Sequence, residues 1–142
     1  MKRADVKEKY KWKIEDIFPS DEEWEKSFDK LQNSLDFSAY EGKLGEKETL
    51  LKFFKANDEF NYNLERLYVY AHMRHDEDAG LSKYNSYYLK ACSLAAKSAT
   101  ELSFVEPELA GQSEEYLKSL IADTRFSDYD YDLKRLIARK PH

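Results

Sequence analysis

A chain of 142 residues with 42% hydrophobic and 15% aromatic side chains can bury a single-domain core without covalent staples. With 23 Lys and Arg against 28 Asp and Glu, its net charge is -5, and it lacks the basic stripe that nucleic-acid binding requires. The lone Cys92 excludes an intrachain disulfide, no apolar run approaches the ~20 residues that span a bilayer, and the N-terminus has no signal-like apolar core, so a soluble, cytoplasmic protein with no membrane partner is expected.

Residues 1–19 are expected to form an extended arm, with Trp12, Ile14, Ile17 and Phe18 as anchors. Pro19 disfavours helix at the residue before it. Ser20 and Glu23 have capping-box spacing, so a first helix should open at Ser20 and place Trp24, Phe28, Leu31 and Leu35 on one face. A loop from Asp36 to Gly45 follows, with Phe37, Tyr40 and Leu44 folding back on the core. Leu50, Phe53, Phe60, Leu64, Leu67 and Ala71 keep one stripe through a long second helix, Lys47 to Asp76. At ~1.5 Å per residue it should span roughly 45 Å.

Gly80 breaks the chain before a third helix, from about Leu81 to Phe104, whose face is read as Tyr84, Tyr88, Ala91, Ala95, Ser98 and Leu102. The small residues from Ala91 to Ala99 predict a close helix crossing. Pro107 suits the first turn of a short helix. Ser113 can cap the next, with Leu117, Leu120 and Ile121 inward. A last helix should start near Ser127, carry Tyr129, Leu133, Leu136 and Ile137 as its stripe, and stop at Pro141. The expected fold is an all-α bundle of about five helices, with residues 1–19 as arm and 20–142 as helical body. An amphipathic helix closing on Lys-Pro-His suggests a cut inside a larger protein.

Catalytic chemistry is hard to place on this chain. A helical zinc hydrolase motif needs His-Glu-x-x-His, which puts two imidazoles on one face and a Glu beside the metal-bound water. Here His72-Met73-Arg74-His75 has the wrong spacing, no Glu after the first His, and an intervening cation. None of His72, His75 or His142 follows a Glu by three residues, as di-iron bundles require. An EF-hand counted from Asp76 would put Leu81 where Gly and Tyr87 where Glu must stand. Cys92 reads as a small buried residue. No catalytic residue, metal ligand or cofactor is therefore assigned to this chain. The tyrosines remain. Tyr84, Tyr87 and Tyr88 cover more than one face of the third helix, and Tyr129 and Tyr131 point differently from the last. Tyr84, Tyr87, Tyr88 and Tyr131 are therefore candidates for a substrate-channel or interdomain contact, the plainer alternative being core plus scattered surface tyrosines.

The segment Trp12-Lys-Ile-Glu-Asp-Ile-Phe-Pro-Ser-Asp-Glu-Glu-Trp24 resembles the opening of oligoendopeptidase F family peptidases. Tyr40-Glu-Gly-Lys-Leu44, Arg66-Leu-Tyr-Val-Tyr-Ala71 followed by Asp76-Glu-Asp78, Phe104-Val-Glu-Pro-Glu-Leu109 and Arg139-Lys-Pro-His142 continue the resemblance in order. The resemblance implies a cytoplasmic zinc metallopeptidase of short peptides, a helical clamshell around a deep channel. It also implies that the zinc ligands lie in a C-terminal lobe not contained in this sequence. This chain would then be the non-catalytic N-terminal lobe, one wall of the channel, partnered by the C-terminal catalytic domain of the same polypeptide and by short peptide substrates. The alternative is a free-standing helical interaction module.

Overall fold

A computed structural model describes residues 14–78 and 80–139. Trp12, Pro141 and His142, and with them the first anchor, the helix stop and the end of the Arg139–His142 motif, lie outside the described residues. Among the described residues the regular structure is helical throughout, with no strand. Seven helices follow in order: α1 Ile14–Ile17, α2 Asp21–Asn33, α3 Lys47–Glu77, α4 Ser82–Glu101, α5 Val105–Ala110, α6 Glu114–Ala122 and α7 Asp130–Arg139. Two 3-10 turns, Ser38–Tyr40 and Thr124–Tyr129, lie between them. The all-α reading and the long second helix thus agree with the structure.

The chain divides into two compact units. The first comprises the described residues up to Leu35 together with Phe60–Lys97, and the second comprises Asp36–Glu59 and the described residues from Ser98 onward.

In the first unit, α2 begins as the sequence dictates. Ser20 is extended, and its Oγ accepts from the Glu23 amide at 3.3 Å. Asp21, Glu22 and Glu23 occupy the first turn, where the exposed amides favour anions. Trp24, Phe28 and Leu31 are buried. The preceding arm is not wholly extended. Ile14–Ile17 make one helical turn, closed by the Phe18 amide bonding Ile14 O at 3.3 Å, before Pro19 ends it. Burying Ile14, Ile17 and Phe18 together requires that turn, because an extended strand would alternate its faces.

On α4 the buried residues are Tyr87, Ala91, Leu94 and Ser98; Ala91 and Ser98 belong to the predicted face, whereas Tyr87 and Leu94 are buried where Tyr88 and Ala95 were expected. The Tyr87 ring stacks on Trp24 with centroids 4.0 Å apart and planes 1° apart, which draws that edge inward. Ala95, Ala96 and Ala99 are exposed, while Ala91 and Ser98 of the same small-residue stretch are buried. Cys92 is half-buried rather than buried.

In the second unit, Phe37 and Leu44 are buried and Tyr40 half-buried, as the folded-back loop required. Phe53 is 1% exposed and meets Phe37, Tyr40, Phe54 and Phe104 at 5.4–6.2 Å between centroids. Ser113 caps α6, its Oγ accepting from the Tyr116 amide at 3.1 Å. The last helix starts at Asp130, later than expected at Ser127. Asp123 caps the 3-10 turn instead, accepting from the Arg125 amide, and that tighter turn carries Phe126 into the core.

Candidate functional site

The densest polar constellation of the first unit surrounds the start of α2. Tyr70 of α3 donates its hydroxyl to Asp21 Oδ1 at 2.6 Å, and Tyr84 of α4 donates to Oδ2 at 2.9 Å. Lys83 Nζ stands 2.9 Å from the same Oδ2. One helical turn on, Tyr87 donates to Glu25 Oε2 at 2.7 Å. Trp24 Nε1 donates to the Leu67 carbonyl at 2.9 Å, and Arg66 Nη2 donates to the Ile17 carbonyl at 2.6 Å. The Arg66 guanidinium also covers the Phe18 ring at 4.9 Å, which ties α1 to α3.

Burial alone would raise the Asp21 carboxyl, but hydrogen bonds from Tyr70, Lys83 and Tyr84 outweigh it and hold it below its ordinary 3.8. Burial, then the bond to Asp21, pushes the Tyr70 phenol up to about 12. Burial with the bond to Asp21 raises Tyr84, and burial with the bond to Glu25 raises Tyr87. A phenol acting as nucleophile or base needs a depressed pKa. These phenols are neutral donors to carboxylates near neutral pH, an arrangement that fixes the geometry of three helices.

The sign of its pH dependence follows. Asp21 is depressed in the fold, so its contribution is present above about pH 4 and lost as pH falls through its folded value. Tyr70 is raised, so its contribution holds below pH 10 and fades as pH climbs through about 12. The stability gap between wild type and Asp21→Asn is expected to shrink between pH 7 and pH 3 in urea titrations.

The four tyrosines singled out in the sequence fall into three settings. Tyr84 and Tyr87 stand together, rings 5.8 Å apart, and Tyr87 is only 3% exposed. Tyr88 belongs to a different group, its ring 5.4 Å from Tyr68 and 6.5 Å from His72. Its neighbours Tyr68 and then Cys92 push its phenol up to about 12. Tyr131 lies in the second unit and is 75% exposed, with Arg135 over its ring at 5.9 Å. Asp21, Glu25 and Tyr70 were not singled out, because Asp21 reads in the sequence as an ordinary acid at a helix start.

In the second unit, Glu108 of α5 grips the loop before α3. Its Oε1 accepts from the Gly42 amide at 2.5 Å and its Oε2 from the Leu44 amide at 2.8 Å. Gly42 turns the chain there at φ 81°, a conformation that a side chain would strain. Tyr116 secures the same loop, donating to the Leu44 carbonyl at 2.8 Å. Glu108→Ala is expected to lower stability by about 1–3 kcal/mol, and Glu108→Gln by less, because charged acceptors bind amides more strongly; chemical denaturation of the two variants checks this. Between α5 and α7 a shallow cleft is lined by Phe54, Leu109, Leu133 and Leu136, with Glu106 and Arg135 at its rim.

Among the described residues no three His, Cys, Asp or Glu side chains converge as metal ligands. His72 Nδ1 sits 3.2 Å from Asp76 Oδ2, both exposed on one helical turn. No helix among the described residues is long and apolar enough to cross a membrane.

No family model matches the chain. It is 34% identical to the group B oligopeptidase PepB of Streptococcus agalactiae, across 99% of this chain and 24% of that protein. It is 34% identical to the oligopeptidase PepF of Bacillus subtilis, across 99% of this chain and 21% of that protein. The chromosomal oligoendopeptidase F of Lactococcus lactis is 33% identical over the same share of the chain. The fold matches a crystal structure of a peptidase candidate from Chlamydophila abortus with a TM-score of 0.78 at 23% identity, covering 89% of this chain and 22% of that one. The chain thus spans about a quarter of the length of the relatives it matches.

Proposed function

Since the chain is homologous along its length to one segment of the oligoendopeptidase F-type peptidases, we propose that it is the non-catalytic N-terminal helical lobe of a cytoplasmic zinc metallopeptidase that cleaves short peptides. The observation that carries this reading is the match across 99% of the chain to only 24% of a larger oligopeptidase. The described residues do not fit a zinc site. His72 and His75 are three residues apart, and the carboxylate that His72 meets is that of Asp76. In this reading the metal, and the Glu that takes a proton from its water, belong to the rest of the polypeptide. The lobe supplies one wall of a channel that admits thin, unfolded peptides, and its carboxylate-pinned tyrosines keep that wall in shape.

The test is the gene and its product. The reading frame should run several hundred codons past His142 and encode His-Glu-x-x-His. The full product should cleave a quenched peptide in a chelator-sensitive manner, while residues 1–142 alone should not. A stop codon at His142, or robust cleavage by the 142-residue chain, would defeat the proposal.

A further inference from the structure

The five residues Leu67–Ala71 pass more than once round α3 at about 100° each, and all are apolar or aromatic. A helix apolar on every face belongs in the interior of a body. Within the first unit four of the five are buried: Leu67 at 1% exposure, Val69 at 4%, Tyr70 and Ala71 at 0%. The fifth, Tyr68, is 38% exposed. His72 lies 6.0 Å from its ring and Tyr88 5.4 Å, and Leu89, next to Tyr88 on α4, is 57% exposed. The one open side of an otherwise enclosed stretch is therefore an aromatic face tipped with hydroxyls and an imidazole. Such amphipathic rings suit a permanent interface that is apolar in body and hydrogen-bonded at its edge. The matched segment is 24% of the related oligopeptidase, so most of the polypeptide that could cover this face lies elsewhere in the sequence of such a protein.

We infer that the Tyr68–His72–Tyr88 face of the first unit is the docking surface for the polypeptide that the longer relatives carry outside this segment. The inference rests on the reading that the chain is part of a larger protein, but not on that protein's activity. It is tested on the full-length gene product by hydroxyl-radical footprinting, with Tyr131, 75% exposed, as internal reference. After scaling to the exposure that each has in this structure, Tyr68 and Tyr88 should still be modified several-fold more slowly than Tyr131. Tyr68→Glu should lower the thermal midpoint of the full-length protein by several degrees, and Tyr131→Glu should leave it unchanged. Modification of the three tyrosines in proportion to that exposure would overturn the inference. So would protection that appears only when light scattering shows a dimer, which would make the occupant a second copy. A full-length protein that cleaves peptides yet leaves Tyr68 open removes this inference alone. One that protects Tyr68 but cleaves nothing removes the peptidase reading and leaves the docking surface standing.

Discussion

Trp24→Ala is expected to destabilise the protein by about 3–5 kcal/mol, the range for deleting a large buried aromatic. Trp24 has no exposed surface, lies flat on Tyr87, stacks on Phe28 at 5.4 Å, and hydrogen-bonds the Leu67 carbonyl. Truncation removes two ring contacts and one hydrogen bond at once. It also opens a cavity beside Tyr87, the ring that carries the hydroxyl bond to Glu25. Trp24→Phe keeps an aromatic plane but loses the indole donor, so an intermediate loss is expected. Urea denaturation followed by circular dichroism measures both. A loss below about 1 kcal/mol for the alanine variant would mean that the site collapses around the gap, against the close packing argued here.

In the second unit the corresponding position is Phe53. Its ring is the hub of four aromatic contacts, with Phe37 and Tyr40 from the folded-back loop, Phe54 from its own helix, and Phe104. Phe53→Ala is expected to cost about 3–5 kcal/mol, and Phe53→Leu less, because leucine retains most of the volume. The alanine variant should also loosen the loop, since Phe37 and Tyr40 lose the surface against which they rest. Faster amide exchange at Leu44 than in wild type is the local signature. Unchanged exchange with a full loss of stability would separate the loop from the hub and contradict the packing described.

The helical fold was legible because its signals are local. Ser20 and Glu23 announce a helix start by spacing alone, and the stripe from Leu50 to Ala71 repeats long enough to fix its period. The one-step error on α4 has a physical source. Tyr84, Tyr87 and Tyr88 are equally acceptable inward by type, and only the partner ring, Trp24, some sixty residues away, selects Tyr87. The late start of the last helix depended on Asp123, whose capping of a 3-10 turn competes with Ser127 as a helix cap. The polar cluster was unreadable for the same reason as the α4 face. Asp21 is explained sufficiently by its place at a helix N-terminus, and nothing near it in sequence reveals that Tyr70 and Tyr84 converge on it. The family resemblance, by contrast, was carried by ordered short motifs that need no contact map.

Neutral phenols anchor several of the carboxylates that tie these helices together: Tyr70 and Tyr84 on Asp21, Tyr87 on Glu25, and Tyr129 on Asp58. Attraction between opposite charges weakens as dissolved ions screen it, whereas a dipolar hydroxyl bond at contact distance is barely touched. Helices held this way should keep those phenol contacts from dilute buffer to concentrated brine, while the lysine and arginine pairs, Lys83 on Asp21 among them, weaken.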